Sequence, residues 1–462
     1  MLLIIVLYFL AIIGIGIWSR RRAGSRDGFF VAHRKGTTPL ITGSLFATII
    51  GGSATVGLAG LGFKQGLTGA WWLLVGSIGL LILGFALAGK VRALALYTLP
   101  ELVERQYDHR AGLAASILIV VAWVGVVSGQ IVAAGKVLSV LGLGSPLFWM
   151  SIFTVVFVAY AVLGGQYSVI RTDVIQAVIL LVGISAVVVV VFPLVEGLSG
   201  LKASLPPDYF SFPLSTRFDW KALLSFLILV GATYVVGPDM YTRLFCSKEE
   251  KTARESTFIT AFFVFLFAFA IALIGMAARV LYPDIPAEQA FPQVVVGTLP
   301  AALRGIVLTA LVAALMSSAD TCLLSQSVIL TEDVFRRFRP IDERKALLIT
   351  RLSIIMLGLV ALGVAITLKG VISSLLFAYA VFTCGLVIPV IAGFYRERLK
   401  VTSSGAMAAL TGGGALALLG KIPGLAIPLK EDLGLVGFAV SAILLFGVSC
   451  LTRRRQPHKS ML

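Results

Sequence analysis

The sequence predicts an all-α membrane protein that crosses the bilayer about thirteen times. Of its 462 residues, 58% are hydrophobic and only 13% are charged, and the mean hydropathy is +1.00. A soluble domain is roughly half apolar and about a quarter charged. Apolar runs of about 18 residues or more, enough to span a bilayer, recur along the chain. Helices satisfy their own backbone groups in lipid, and these runs are too long and uniform for barrel strands.

The predicted spans are separated by connections that contain most of the charged residues. In chain order the spans cover residues 2–18, 38–63, 69–91, 111–142, 147–164, 172–195, 220–244, 255–281, 303–330, 346–368, 372–394, 401–420 and 433–451. The first span lacks a basic segment before it and a small-residue cleavage site after it. It is therefore expected to remain as a membrane anchor rather than to be removed as a signal peptide.

The net charge of +16 follows the topology of the spans. Basic clusters fall in alternate connections, at residues 20–22, 33–35, 336–339, 396–400 and 453–455. This is the positive-inside pattern, and it places the N-terminus outside and the C-terminus in the cytoplasm of a plasma-membrane protein. The same placement argues against a nucleic-acid partner, because the charge does not form one surface.

The sequence predicts no cofactor and no transition-metal site. The three histidines, His33, His109 and His458, all fall in polar connections. The four cysteines form no CxxC pair and are expected to pack in the interior: Cys246, Cys322, Cys384 and Cys450. Zinc and haem sites need such ligands in clusters. An intramembrane enzyme is also disfavoured, because no histidine lies within a span to serve as a base.

Two spans are interrupted by glycine. The second span, LFATIIGGSATVGLAGLGF, has Gly-Gly-Ser at 51–53, and the seventh, LILVGATYVVGPDMYTRLF, has Gly231 and then Gly-Pro at 237–238. Glycine exposes the backbone and proline removes a donor, so both helices can unwind there. Two broken helices five spans apart are typical of an inverted-repeat transporter. Close helix packing is the alternative explanation for the glycines.

The ninth span carries a carboxylate and several hydroxyls. Ala314, Ser317, Asp320 and Thr321 share one helical face, and Ser318 lies beside it. An ionised carboxylate facing lipid costs roughly 3 kcal/mol or more, so this face must contact protein, water or an ion. Hydroxyl, carboxylate and carbonyl oxygens suit a hard cation rather than a transition metal.

Structural explanations for these polar residues stay open at this stage. Serine and threonine can bond a carbonyl of their own helix, and Asp320 could pair with Lys136. A second acid, Asp173, stands near the start of the sixth span, where it could act as a helix cap. Asp239 and Arg243 are spaced i, i+4 and are expected to pair with each other, with no role in ion binding.

Two sequence runs resemble those of a known family. They are GGxxxVxxTDxxQ at 164–176 and LTALVAALMSSADTCLLSQSVILTEDVF at 308–335. With the broken second span, the span count and the outside N-terminus, they make the chain similar to the sodium:solute symporter family over nearly its whole length. That family contains the proline, pantothenate, sialic-acid and sodium/glucose symporters.

The resemblance implies a leucine-transporter-type fold with a 5+5 inverted-repeat core. The core would span residues 38–395, with repeats at about 38–195 and 220–395. Residues 1–37 would form an anchor helix and a basic cytoplasmic loop. Residues 396–462 would form two peripheral helices and a basic cytoplasmic tail.

The resemblance also implies two sets of sodium ligands. The shared site would use the carbonyls of Ile49, Gly52 and Ala314 and the hydroxyls of Ser317 and Ser318. A second cation site, present in some members, would use Asp173, Ser317, Asp320 and Thr321.

Two departures from the family pattern affect the second site. Asp320 stands where a hydroxyl is usual, which leaves proton coupling or a cation of mixed character open, because like charges raise a pKa. Arg171 stands where an aromatic residue is frequent, and it is a candidate partner for Asp173.

The function implied is sodium-coupled symport of a small organic solute into the cell by alternating access, without enzymatic activity. The partners would be sodium, the solute and the lipid bilayer. A proton-coupled or mixed-cation carrier is the first alternative, and a transporter-like sensor acting through a partner is the second. An ion channel would instead need polar rings in a symmetric oligomer.

The sequence favours an amino acid or a small organic acid over a sugar as the solute, because the spans contain few Asn, Gln and Glu residues. The end of a broken helix could hold a carboxylate. Candidates for the cavity lining are Ser53, Thr55, Trp71, Gln130, Tyr234 and Phe377.

Overall fold

Apolar helices make up most of the structure. The computed structural model describes residues 2–20, 22–367, 370–419 and 433–453, so the predicted basic tail from residue 454 onward lies outside the described part. The apolar helices are α1 Leu2–Ser19, α2 Thr38–Ile49, α3 Ser53–Ala86, α4 His109–Ser139, α5 Pro146–Leu194, α6 Trp220–Cys246, α7 Glu250–Leu281, α8 Ala301–Phe338, α9 Glu343–Thr367, α10 Val371–Gly393, α11 Ser403–Leu419 and α12 Leu433–Thr452. Among the described residues, ten of these are long and apolar enough to cross a membrane, and α2 and α11 are shorter.

The predicted number of thirteen spans is not confirmed by this count, because two of these segments each contain parts of two predicted spans joined at a turn. Segment α3 contains the end of the second predicted span and most of the third, and its backbone turns between them at Gly66, with φ 70° and ψ −141°. Helix α5 has 49 residues and includes the fifth and sixth spans, and its backbone turns at Gly165, with φ 52° and ψ −160°. A Cβ at Gly165 would lie 2.7 Å from the Phe29 ring, so conformation and space both favour glycine there.

Both predicted helix breaks are present. Helix α2 ends at Ile49, and helical structure resumes at Ser53 as a single wide turn, Ser53–Gly57. In α6 the backbone is extended at Gly237, with ψ 135°, before the segment Pro238–Cys246 begins. The proline fits the first turn of this new segment, where its missing N–H has no partner to lose.

Helix α8 lies at the centre of the bundle. In its most apolar 18-residue stretch, 94% of the residues are buried, against 33% in the corresponding stretch of α1 and 28% in that of α12. It packs against α4 and α5 along its length and contacts α2 beside the first break. Cys246, Cys322 and Cys384 are buried as expected, whereas Cys450 is exposed on α12.

The two ends of the bundle differ in charge. At one end, Arg26 pairs with Glu332, Arg34 donates to the carbonyl of Leu96 at 3.0 Å, and Arg396 donates to that of Gln106. We call this end the basic side. At the opposite side, Lys136 of α4 pairs with Glu288 in the connection between α7 and α8. These polar contacts tie the helix ends and loops together outside the apolar interior.

Candidate functional site

Two adjacent hydroxyls on α8 face the last turn of α2. Ser318 Oγ donates to the carbonyl of Thr48 at 2.6 Å, and Ser317 Oγ donates to that of Ala47 at 2.7 Å. The same hydroxyls lie 3.3 and 2.9 Å from the Ala314 carbonyl of their own helix. Bonding within α8 therefore explains only part of their contacts. The rest link α8 to α2 directly before the break.

The break in the second span packs closely against α4 and α8. The Gly52 N–H donates to Gln130 Oε1 at 2.7 Å. A Cβ on Gly51 would lie 2.1 Å from Ser318 Oγ, and one on Gly52 would lie 2.6 Å from the Leu315 side chain. Glycine at both positions therefore lets the backbone approach the hydroxyls and the amide.

A narrow cavity lies beside Ser318. Its volume is about 30 Å³, enough for one or two water molecules. Its lining contains one carboxylate, one amide, four hydroxyl-bearing Ser and Thr residues and three aromatic rings. The lining residues are Thr48, Ile49, Ser53, Trp123, Val126, Gln130, Thr233, Tyr234, Asp239, Met240, Ser318, Cys322 and Tyr379. A solute would require this cavity to widen, as an alternating-access cycle would allow.

Three of the six predicted lining residues line this cavity: Ser53, Gln130 and Tyr234. The hydroxyl of Thr55 donates to the carbonyl of Gly51 at 2.9 Å and so serves the backbone of the break. Thr55 is fully buried and is not among the cavity residues.

The other two predicted aromatics lie elsewhere. Trp71 stacks on Phe212 with ring centroids 5.4 Å apart, and its Nε1 donates to the carbonyl of Pro213 at 2.8 Å. Phe377 packs beside Gly125 of α4, whereas the α10 ring that lines the cavity is Tyr379, two residues further along. A shift of two residues moves a side chain to another face of a helix, which a span prediction does not resolve.

The sequence analysis did not select eight lining residues as site residues: Thr48, Trp123, Val126, Thr233, Asp239, Met240, Cys322 and Tyr379. Trp123 could have been found, because it lies seven residues before Gln130 and therefore on the same face of α4. Asp239 also had a signal, since it is an acid directly after a Gly-Pro break within a membrane span. Nothing comparable marks Tyr379.

The expected pair of Asp239 with Arg243 is wrong. Arg243 is not among the residues that line the cavity, and its Nη2 lies 3.0 Å from Asp173 Oδ2, with both side chains completely buried. Its Nε donates to Ser44 Oγ at 3.1 Å, and its Nη2 also donates to Thr321 Oγ1. A buried guanidinium needs a carboxylate partner, and spacing along one helix does not show which carboxylate is nearest.

Two alternatives for the acids are also corrected. Asp173 does not serve as a simple helix cap, because its Oδ2 accepts from Ser44 at 2.5 Å and from Arg243. Its suggested partner Arg171 instead lies over the Tyr167 ring at 3.6 Å and donates to the carbonyl of that tyrosine.

Asp320 lies within the same buried cluster. Its Oδ1 accepts from Thr321 Oγ1 at 3.4 Å, and its side chain is fully buried. The suggested partner Lys136 pairs with Glu288 on the opposite side instead. Of the second predicted cation set, Asp173, Asp320 and Thr321 therefore lie together beside the Arg243 guanidinium. The fourth member, Ser317, bonds α2 instead.

The oxygens at the first break have the chemistry of a hard-cation site. Carbonyls of α2 and α8 converge on two hydroxyls, and no nitrogen or sulfur ligand is required. Ile49 and Gly52 flank the break, although the carbonyls bonded to the hydroxyls are those of Ala47 and Thr48, slightly earlier in α2. A small monovalent cation bound here would join α2 and α8 through the groups that now bond each other.

A model of the sodium:solute symporter family matches residues 29–413 of the chain. The chain belongs to this family. One relative in this symporter family, the sodium/myo-inositol cotransporter 2 of Mus musculus, is 27% identical over 403 residues. The match covers 78% of this chain and 60% of the mouse protein, so the chain spans about three fifths of that relative's length.

Solved transporter structures share the fold of this family member. The substrate-bound outward-open state of a Na⁺-coupled sialic acid symporter superposes with a TM-score of 0.82 at 18% identity, covering 97% of this chain and 96% of that chain. A closed conformation of Mhp1, a nucleobase-cation-symport-1 family transporter, superposes with a TM-score of 0.63 at 16% identity, covering 92% and 94%. The fold is therefore the predicted leucine-transporter type with its inverted-repeat core. The family and these neighbours are transporters rather than enzymes, as the sequence predicted.

Proposed function

We propose that this symporter-family chain imports a small organic solute together with sodium by alternating access. The observation that carries the proposal is the pair of α8 hydroxyls, Ser317 and Ser318, bonded to carbonyls of α2 at its break. The cavity beside Ser318 supplies a neighbouring place for the solute. Ion and solute would thus bind to the same mobile contact between two helices, which is what coupling requires.

Sodium in this proposal is held by the carbonyls of Ile49, Gly52 and Ala314 and the hydroxyls of Ser317 and Ser318. Binding would favour the arrangement in which residues 51–53 are ordered, because the ion needs oxygens from both helices at once. The ordered break would then complete the solute cavity. Rocking of the bundle would release both ligands on the other side of the membrane.

The sodium gradient supplies enough energy for accumulation. One charge crossing a potential of 100 mV yields roughly 2.3 kcal/mol. Each tenfold sodium gradient adds roughly 1.4 kcal/mol. A single sodium ion can therefore sustain a gradient of a neutral solute of about 500-fold.

The proposed orientation places the basic side in the cytoplasm of a plasma-membrane protein, with the N-terminus outside and the C-terminus inside. Arg26, Arg34 and Arg396 all lie on the basic side. Excess Lys and Arg in cytoplasmic connections supports this assignment. Import then means movement from the side of Lys136 and Glu288 towards the basic side.

For the solute, we propose an amino acid or a related small organic acid with an ammonium group. Asp239 is the one carboxylate among the described cavity residues, and it shares the cavity with the rings of Trp123, Tyr234 and Tyr379. Carboxylate and aromatic faces both attract an ammonium. A carboxylate of the same solute suits the backbone N–H groups at the break.

A neutral polyol is the competing solute class. The mouse relative is a sodium/myo-inositol cotransporter, and Gln130 and Asp239 are hydrogen-bonding groups that a polyol could use. The shortage of Asn, Gln and Glu in the spans is therefore a weaker argument against sugars at the cavity itself. A panel of amino acids, organic acids and polyols, assayed as sodium-dependent currents in proteoliposomes, distinguishes the classes.

The sodium proposal is tested without knowing the solute. We would measure the melting temperature of the purified protein in NaCl and KCl at equal ionic strength, at mildly acidic and at neutral pH. A ligand at about 100 times its dissociation constant stabilises the folded state by roughly 2.7 kcal/mol. We expect a sodium-specific rise that Ser318→Ala removes.

Ser327→Ala is the matched control, because Ser327 is a buried serine on α8 whose hydroxyl donates to the Leu323 carbonyl of its own helix. It should retain the sodium-specific rise. Equal melting in sodium and potassium, with a shift between the two pH values, would favour the proton-coupled or mixed-cation alternative. A sodium-dependent melt without uptake of any solute would favour a sensor that acts through a partner.

A further inference from the structure

Four arginines gather on the basic side, around the turn in α5 at Gly165. We call them the arginine cluster: Arg20 and Arg22 shortly after α1, Arg171 in α5 and Arg351 in α9. Among the described residues, none of the four forms an ion pair with a carboxylate. The neighbouring Arg26 differs, because it pairs with Glu332. Arginine stays charged in proteins, so the cluster carries four uncompensated positive charges.

Two guanidinium groups of the cluster share one tyrosine. Arg22 Nη1 donates to the Tyr167 hydroxyl at 2.7 Å, and the Arg171 guanidinium lies 3.6 Å from the centre of the same ring. Arg171 also donates to the Tyr167 backbone carbonyl at 2.9 Å. Tyrosine holds both groups in place without neutralising them, so the two positive charges repel each other across the ring.

The other two guanidinium groups lie on the far side of the turn. Arg351 Nε donates to the Val162 carbonyl at 3.2 Å, and its guanidinium lies 5.6 Å from the centre of the Phe29 ring, which packs on Gly165. Arg20 is exposed, and its side chain has no hydrogen bond to any other described residue. It is close enough to Arg351 for the two charges to repel each other. Neutral groups alone therefore hold the cluster together.

The surface beside the arginine cluster is apolar. Ile17 and Trp18 of α1 and Leu352 of α9 are exposed large side chains next to cluster residues in the sequence. The Trp18 ring also lies under the Arg22 guanidinium, 5.0 Å from its carbon. A tryptophan beside basic residues at the end of a span is typical of the headgroup level of a membrane. A positive site with an apolar flank suits a lipid headgroup better than a soluble anion.

We propose that the arginine cluster binds the phosphate of an anionic phospholipid headgroup. Guanidinium groups donate to phosphate oxygens in pairs, which fits four of them around one ligand. The negative charge relieves the repulsion within the cluster. The acyl chains lie along the exposed apolar side chains of α1 and α9, so the lipid links α1 to α5 and α9 on the basic side.

The test is a lipid titration of the purified full-length chain in detergent, read as the rise in melting temperature. The probes are phosphatidylglycerol, the zwitterionic phosphatidylcholine, and inorganic phosphate as the soluble source of the same chemistry. We expect a saturable rise with phosphatidylglycerol only. Arg20→Gln/Arg22→Gln should weaken the apparent affinity for this lipid by about 10- to 30-fold, because each basic group near an anionic headgroup contributes to binding.

Lys251→Gln/Lys345→Gln is the matched control, because it also removes two positive charges from the basic side. Both lysines are exposed, and they lie 3.8 Å from Glu255 and 3.5 Å from Asp342. The affinity for phosphatidylglycerol should stay at the wild-type value. Equal weakening in the two double variants overturns the proposal, since the attraction then comes from the overall charge.

Equal rises of the wild-type chain with phosphatidylglycerol and phosphatidylcholine overturn the proposal, and this outcome is decisive even where Arg20→Gln/Arg22→Gln does not fold. An equal rise with inorganic phosphate makes the cluster a site for a soluble anion and overturns the lipid. A purely structural role for the arginines would lower the melting temperature without lipid and leave the affinity for phosphatidylglycerol unchanged, which also overturns it.

Discussion

Asp239 is the residue on which the proposed solute class depends. Its carboxylate is the one acid among the described cavity residues. We predict that Asp239→Asn weakens binding of an ammonium-bearing solute by about 10- to 100-fold, the effect of losing a charged hydrogen bond of roughly 1.5–3 kcal/mol. Sodium-dependent melting should persist, because Asp239 is outside the proposed sodium set. Solute-induced currents and melting curves measure the two effects separately.

The control for this prediction is Asp208→Asn, the same substitution at a partly exposed loop acid that bonds Thr216. It should change neither measurement. If Asp239→Asn leaves solute affinity intact, the carboxylate does not contact the solute, and a neutral polyol becomes the better assignment.

Gly51 tests the close approach between the helix break and α8. A methyl group there would lie 2.1 Å from Ser318 Oγ, so we predict that Gly51→Ala displaces the hydroxyl and removes the sodium-specific rise in melting temperature. It should also destabilise the protein by about 1–3 kcal/mol, as overpacking does. Gly363→Ala is the matched control in α9, where an added methyl would meet no atom within 4 Å. A retained sodium response in Gly51→Ala would place the ion elsewhere.

For single residues, the sequence predicts which side chains share a helix face. It does not predict which groups on other helices they bond. Ser317 and Ser318 could be selected because an intramembrane polar face must find polar neighbours, and both bond α2. The pairing of Arg243 was missed, since the nearest acid along its own helix, Asp239, is not the one it contacts. Helical spacing says nothing of a carboxylate supplied by α5.

At the scale of helices and loops, one contact lies where it can close the path to the cavity. It joins α4 to the connection after α7, on the side of the bundle opposite the basic side. Lys136 pairs with Glu288, whose Oε1 also accepts from the Val371 N–H at the start of α10. Both charged side chains are about one quarter exposed, so the pair contributes at most about 1 kcal/mol. We predict that Glu288→Gln raises the rate of opening there by about 2- to 5-fold.

Cys322 provides the readout for this opening, because it lines the cavity and is only 2% exposed. The other three cysteines are replaced by alanine, and the rate of Cys322 modification by a water-soluble maleimide is measured. Asp342→Asn is the control, since it disrupts an exposed ion pair with Lys345 on the basic side. A Glu288→Gln rate equal to that of the parent would mean that the pair does not restrain opening.

The helix breaks were predictable because glycine and proline act locally. The sequence placed them at residues 51–53 and 237–238, and the structure has both. The division of α5 into two spans was also predicted, with a connection at 165–171. The structure has two helices that meet in a kink at Gly165, the first residue of that connection, with φ 52° and ψ −160°. Apolar runs therefore give the positions of the spans, and glycines give the points where the backbone turns between them.

At the scale of the whole molecule, the composition predicted a helical membrane protein, and the placement of the basic residues predicted its orientation in the membrane. A chain with 13% charged residues and a mean hydropathy of +1.00 cannot bury its apolar surface within one soluble core. The bundle instead presents large apolar side chains outward, as on Phe85, Val155 and Leu359, where lipid can cover them. The cavity could not be predicted as a unit, because its lining comes from helices far apart in sequence.

The asymmetry between the two ends leads to a last prediction, on orientation. Because Lys and Arg are retained on the cytoplasmic side, the basic side should face the cytoplasm. Two exposed serines report it: Ser199 near the end of α5 on the opposite side, and Ser404 at the start of α11 on the basic side. In a chain without native cysteines, Ser199→Cys should react with an impermeant maleimide on intact cells. Ser404→Cys should react only after permeabilisation, and the reverse pattern would invert the proposed direction of import.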